Sequence, residues 1–303
     1  MTASAFASHT ERSAAIAIFF SGVLWGLWWI PLRWLARHGI AGDWTSVVLY
    51  GVAGVLMVPL AVARFRARRG EALGYTLAGA FASGAAIAMT NTALLNGNVV
   101  RVLLLFYLAP IWATLMDVLV LKERLGPRRI ATVVLGLSGA AVVLGGGVTV
   151  PLPRALGEWM GLTAGFAFAA GSLFVRKAET AKAASDPVIQ SFVSLAVGCG
   201  FGILFLGVFP SPPLVIARLW TAAPAALAIA AVWVLPLMWL FLWGAARLAP
   251  GRVTILMLIE PVAAVTSAAL LLDEPFGARE IAGCVLIVAA GLTEALPRSN
   301  PAR

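Results

Sequence analysis

The sequence predicts an all-α polytopic membrane protein of ten transmembrane helices, arranged as two inverted five-helix repeats. Three observations predict it. The chain of 303 residues is 61% hydrophobic and only 12% charged. Ten apolar runs approach the length of a membrane crossing, and one loop motif returns late in the chain with its charge reversed. Mean hydropathy is +0.95, outside the range of soluble domains.

A helix needs about 20 mostly apolar residues to cross a hydrocarbon core about 30 Å thick. Runs that meet this requirement fall at 14–34, 44–63, 72–95, 99–121, 130–147, 157–175, 187–209, 223–246, 252–272 and 281–296, numbered here as spans 1 to 10. Between them lie short, punctuated segments such as "RFRARRGE", "PSPPLVIARLW" and "LAPG", none able to hold a soluble catalytic domain. The first run is too long for a signal-peptide core and has no small-residue cleavage site before Trp25, so it reads as a retained helix. On this frame, residues 1–13 are a disordered tail, 14–147 the first repeat, 148–156 a linker, 157–296 the second repeat and 297–303 a C-terminal tail.

The repeat shows in "KERLGPRR" (122–129) and "DEPFGARE" (273–280), which share a frame 151 positions apart but carry net charges of +3 and −2. In the same frame Pro110 meets Pro261, Glu123 meets Glu274, Gly126 meets Gly277, Arg128 meets Arg279 and Arg101 meets Arg252. An offset of 143 lays "WGLWWIPLR" of span 1 over "FAAGSLFVR" of span 6, so that Arg33 meets Arg176. Five is odd, so the second copy begins on the other side of the membrane and runs upside down. With a cytoplasmic amino terminus, most of the 22 Lys and Arg residues fall in cytoplasmic segments, which places both termini there. The motif changes sign because its two copies face opposite sides.

The residues that carry a family resemblance are "LWG" ending at Gly26 with Arg33 seven residues on, "YLAPIWATLMDVLVLKE" ending at Glu123, and "LIEPVAAVTSAALLLDE" ending at Glu274. This pattern resembles EamA-type transporters of the drug/metabolite transporter superfamily over nearly the whole chain, and within it bacterial amino-acid exporters. The resemblance implies a ten-helix inner-membrane carrier with a central cavity between the repeats that opens alternately to each side. Tyr107, in "FYLAP", falls where aromatic amino-acid exporters of this type resemble each other, but Ala109 stands where an aromatic residue precedes the Pro, a departure from the aromatic pattern.

Inverted repeats place a substrate site near the midplane, where helices break. Pro110 and Pro261 sit at that depth; each disrupts the hydrogen bond to the carbonyl four residues back, kinking the helix either for packing or to offer that carbonyl to a ligand. Glu260 lies well inside span 9, where an ionised carboxylate needs protein, water or a counter-ion. It is the leading candidate to pair with a substrate ammonium or to exchange a proton, a structural ion pair being the other reading. Arg101 either extends toward the interface or grips a substrate carboxylate. Trp25 and Trp29, with Trp28 on the same predicted face, either line a cavity or fill helix contacts. Asn91, flanked by Thr90 and Thr92, must find a neighbouring helix or a ligand. Trp233 and Tyr107 complete the aromatic candidates. Asp117 reads as paired with Lys122 or Arg124 at the interface.

No HExxH is present, and His9 and His38 lie outside the spans, so an intramembrane enzyme lacks its constellation. No metal site or cofactor is expected. The "RFRARR" cluster fits anionic headgroups, not nucleic acid. The expected partners are the lipid bilayer and a small-molecule substrate, consistent with a monomer. The leading expectation is a secondary exporter of small amphipathic metabolites, above all neutral or aromatic amino acids, by alternating access. The alternatives are an exchanger of phosphorylated sugars or other metabolites and drugs, and, more distantly, an intramembrane enzyme or a scramblase.

Overall fold

The computed structural model describes residues 3–69, 73–96, 99–144, 152–181, 186–272 and 276–295. Every regular element among them is helical. Span 1 is α1 (Ala3–Gly26) and α2 (Trp29–Arg37), span 2 is α3 (Trp44–Ala67), span 3 is α4 (Gly74–Asn96), and span 4 is α5 (Val99–Phe106) and α6 (Ala109–Leu119). Span 5 is α7 (Pro127–Val143), span 6 is α8 (Leu156–Thr180) and span 7 is α9 (Pro187–Leu206). Span 8 joins α10 (Ile216–Ile229) through a π-helical turn (Ala230–Val234) to α11 (Leu235–Ala245); span 9 is α12 (Pro250–Met257) and α13 (Ile259–Leu272), and span 10 is α14 (Ala278–Ala295).

Eight of these spans are long and apolar enough to cross a membrane by length and composition. The other two, α7 of 17 residues and α14 of 18, pack against one another. Large apolar side chains such as Phe20, Leu60, Phe81, Leu119, Leu204, Val232 and Leu270 face outward. In water that surface would be costly, and in hydrocarbon it is the expected exterior.

Helix ends depart most from hydropathy in two places. Residues 3–13, expected as a disordered tail, form the first three turns of α1, and Glu11 in the third turn holds Arg252 at 3.0 Å. The segment "IARLW", expected as loop, opens α10. The motif residues Asp273, Glu274 and Pro275, most of the 148–156 linker and the 297–303 tail lie outside the described residues.

The packing has the symmetry of the repeat. Span 2 packs on its mate, span 7, and span 5 on its mate, span 10. Between them, span 6 packs on spans 3 and 4, while span 1 packs on spans 8 and 9. Each first helix therefore leans on the other repeat, as a two-fold axis in the membrane plane requires.

The halves are not equally closed. One buried cluster, containing Ala14, Ile18, Ala86, Ala109, Phe168, Val175, Phe241, Leu242, Val253 and Met257, fuses spans 1, 3, 4, 6, 8 and 9 on the side of the membrane where the helical chain begins and ends, the terminal face. On the opposite face no such cluster joins span 6 to spans 1, 8 or 9 among the described residues.

Candidate functional site

Three spans break at one depth, and proline sets each break. Pro31, Pro110 and Pro261 lack an N–H, so the helices loosen at Leu27–Trp28, Tyr107–Leu108 and Leu258. There tighter bonds appear: Trp28 N to Trp25 O at 3.0 Å, Leu108 N to Leu105 O at 3.3 Å and Leu258 N to Ile255 O at 3.1 Å. Pro31, without a repeat partner in the sequence, thus acts like the paired prolines, whereas its mate span α8 runs unbroken.

The carbonyls four residues before Pro110 and Pro261 belong to Phe106 and Met257, which are repeat mates. Each is met by a glycine of the other repeat's first span. A Cβ on Gly165 would lie 2.5 Å from the Phe106 oxygen, and one on Gly22 3.6 Å from the Met257 oxygen. Gly22 and Gly165 are themselves mates at the offset of 143. At Gly165 a side chain would collide with the Phe106 carbonyl, so glycine lets the backbones approach there, whereas a Cβ on Gly22 would touch the Met257 oxygen at ordinary distance and collide with the Ile259 side chain at 2.5 Å. Gly26 similarly sits against the Glu260 carbonyl, 2.3 Å from where a Cβ would be.

At the breaks, the chemistry is asymmetric. Glu260 precedes Pro261 as Ala109 precedes Pro110. Its carboxylate faces the Tyr107 hydroxyl, so one break of each repeat contributes a member of the pair. Tyr107 is buried and Glu260 half-buried. Trp29 donates its indole N–H to Ser267 Oγ at 3.0 Å, two turns beyond Glu260 on α13. Trp25 and Trp28 meet edge to face at 5.8 Å; Trp28 is buried while Trp25 and Trp29 stay half-buried. The break in span 1 therefore turns Trp29 toward span 9 instead of keeping three Trp residues on one face. Trp233, in the π-helical turn, donates to the Leu24 carbonyl at 3.2 Å.

Other candidates go elsewhere. Asn91 donates to Ser46 Oγ at 3.1 Å and to Tyr50 Oη at 2.8 Å, so its amide ties span 3 to span 2. Arg101 binds Glu158 at 2.6 Å and the Leu152 carbonyl at 2.7 Å near the opposite face, joining spans 4 and 6. Asp117, expected against Lys122 or Arg124, finds its buried partner in Arg129. Its Oδ2 accepts from Arg129 at 2.7 Å and from the Gly251 N–H at 2.9 Å, a buried junction of spans 4, 5 and 9 on the terminal face.

Residues that sequence reasoning missed include Phe106, Phe168 and Phe241, whose rings follow Tyr107 at centroid spacings of 5.5, 5.7 and 5.2 Å. They run from span 4 through span 6 to span 8 and seal the site toward the terminal face. Phe in an apolar span carries no periodic signal, so only the tertiary contact reveals them. Among the described residues no group of three His, Cys, Asp or Glu could hold a metal ion.

A ten-span chain with broken helices meeting between inverted repeats has the architecture of a membrane transporter. The chain matches the EamA-like transporter family over residues 12–145 and 155–292, one copy per repeat, and it belongs to that family. A solved crystal structure, 17% identical, superposes with a TM-score of 0.68 over 93% of this chain and 97% of that one, which shows the same fold. No curated protein matches the chain significantly.

Proposed function

We propose that the chain is a secondary exporter of small amphipathic amines, most concretely neutral and aromatic amino acids, that works by alternating access. In this reading the terminal face is the cytoplasmic side of a bacterial inner membrane, in keeping with the Lys and Arg distribution.

One observation carries the reading: a half-buried carboxylate, Glu260, stands at a helix break facing Tyr107, with its carbonyl against Gly26 of the broken span that carries half-buried Trp25 and Trp29. A substrate ammonium pairs with Glu260, and its side chain lies against the indoles. The first N–H groups of α2 and α13, which start at the breaks, favour a carboxylate. A phosphorylated sugar would require cationic side chains at this depth, whereas the charged group there is an acid.

Glu260 also offers a coupling route. A proton and an ammonium compete for one carboxylate, so binding one expels the other, and each crosses as the site changes face. Counterflow in proteoliposomes tests the reading, with one unlabelled amino acid inside and tracer Trp, Phe, Met, Leu or Thr outside. Saturable, mutually competing uptake is expected. Folded protein that shows no counterflow with any of them overturns the amino-acid assignment.

A further inference from the structure

On the terminal face, spans 6 and 8 are latched. Arg176 donates to the Ala246 carbonyl at the end of α11 at 3.2 Å, and Arg247 approaches Glu179 at 4.0 Å. The last carbonyls of a helix have no intrahelical partner, so a guanidinium from another span is a natural cap for them.

The opposite face holds the mates of these residues in another arrangement. Arg33 is the mate of Arg176, and Leu95, near the end of α4, is the mate of Ala246. The contact between Gly22 and Met257, mirrored by Gly165 and Phe106, shows that these offsets hold in three dimensions. Yet α2 and α4 do not pack as α8 and α11 do. Arg33 is exposed and rests over the Trp29 ring at 5.7 Å, with no ion pair or hydrogen bond among the described residues. Leu95 is 54% exposed.

We infer that Arg33 is the latch of the opposite face: when that face closes, its guanidinium caps the carbonyls at the end of α4 near Leu95, as Arg176 caps Ala246 here. Inverted repeats supply the reason. If the two repeats exchange conformations, each contact seen on one face has its mirror on the other in the second state. Arg33 moves from the Trp29 ring to the α4 terminus, which couples closure to the indole that bonds Ser267 two turns beyond Glu260. Arg33 is thus a positioning residue for the transport cycle, and the inference rests on the alternating-access reading above.

Spin labels on Ala36→Cys and Leu95→Cys report the separation of the ends of spans 1 and 3. They are placed in full-length protein carrying Cys199→Ala and Cys284→Ala, reconstituted in lipid, and the Arg33-containing form is first assayed for counterflow. Two distance populations are expected with Arg33. The shorter one is lost in Arg33→Ala and partly kept in Arg33→Lys, and turnover in Arg33→Ala falls about tenfold with half-saturation unchanged. A short population that survives Arg33→Ala overturns the latch, as does a single population in protein that shows counterflow. Raised half-saturation with unaltered distances also overturns it and makes Arg33 a contact for the substrate carboxylate. Loss of counterflow in the Arg33-containing form defeats the transport reading itself, and the latch with it.

Discussion

The hydroxyl of Tyr107 faces the carboxylate of Glu260, bringing the break in span 4 to the break in span 9 across the boundary between the repeats. Neither residue has a mate of its own kind: Leu258 stands opposite Tyr107 and Ala109 opposite Glu260. The backbone frame is two-fold, while the polar chemistry is single. A carrier that binds one substrate at its axis needs only one such pair.

Glu260→Gln keeps the shape and the hydrogen-bonding capacity but removes the charge. Counterflow is expected to fall more than about tenfold, as it should when an ammonium loses its charged partner, and the pH dependence of uptake should flatten. Full transport with unchanged pH dependence would remove both the substrate and the proton role. Tyr107→Phe removes the hydroxyl that faces the carboxylate, and a smaller loss, about tenfold or less, is expected in the same assay.

The junction of Asp117, Arg129 and Gly251 is one-sided. Its mates on the opposite face are Ala268, Glu280 and Val100, which cannot form it. Asp117 and Arg129 are 4% and 8% exposed, so removing one partner strands the other and costs several kcal/mol, about 3–5 for a fully buried pair. Asp117→Asn is expected to open the terminal face. The check is maleimide labelling of Thr254→Cys, buried in α12, in the background lacking Cys199 and Cys284; the rate should rise about tenfold or more. Unchanged labelling would make the junction a local support of the loop between spans 4 and 5.

Gly165 has no room for a methyl group beside the Phe106 carbonyl. Gly165→Ala is expected to separate spans 4 and 6 and to destabilise the protein by about 1–3 kcal/mol, read as a lower Tm in detergent. Gly54, which has nothing within 4 Å of a built Cβ, should tolerate the same change with little shift.

Asp43, between spans 1 and 2, is 1% exposed. Burial pushes its carboxyl above the usual range, while hydrogen bonds from Thr92 and Ser211 oppose that rise. A carboxyl with a raised folded pKa binds its proton more tightly folded than unfolded. Stability therefore falls as pH climbs from the unfolded value, about 3.9, through the folded one, and stays lower above it. Asp43→Asn should remove this step from thermal melts taken across the acidic range and leave the other pH dependence intact.

The legible parts of the site were those with a local signature. Pro110 and Pro261 marked breaks because a missing N–H acts on its own helix, and Glu260 stood out because a lone acid in an apolar run is costly anywhere. Asn91 and Arg101 stood out for the same reason, but their cost is met by Tyr50 with Ser46 and by Glu158 with the Leu152 carbonyl, partners 41 to 57 residues away. A polar residue in a span announces that it needs a partner; it does not say whether a helix or a ligand will supply one. Pro31 has no repeat mate to mark it, yet a helix breaks at proline whether or not its counterpart does.

The sequence alone determined that the chain lives in a membrane, that it crosses ten times and that its halves are inverted copies. Run length, helix parity and loop charge depend only on the order of residues and the thickness of hydrocarbon. Tertiary structure decided which face is closed, which glycine meets which carbonyl, and that Tyr107 reaches Glu260. Those outcomes depend on how helices far apart in sequence cross, and contact between such helices is set by shape and distance, which no local pattern encodes.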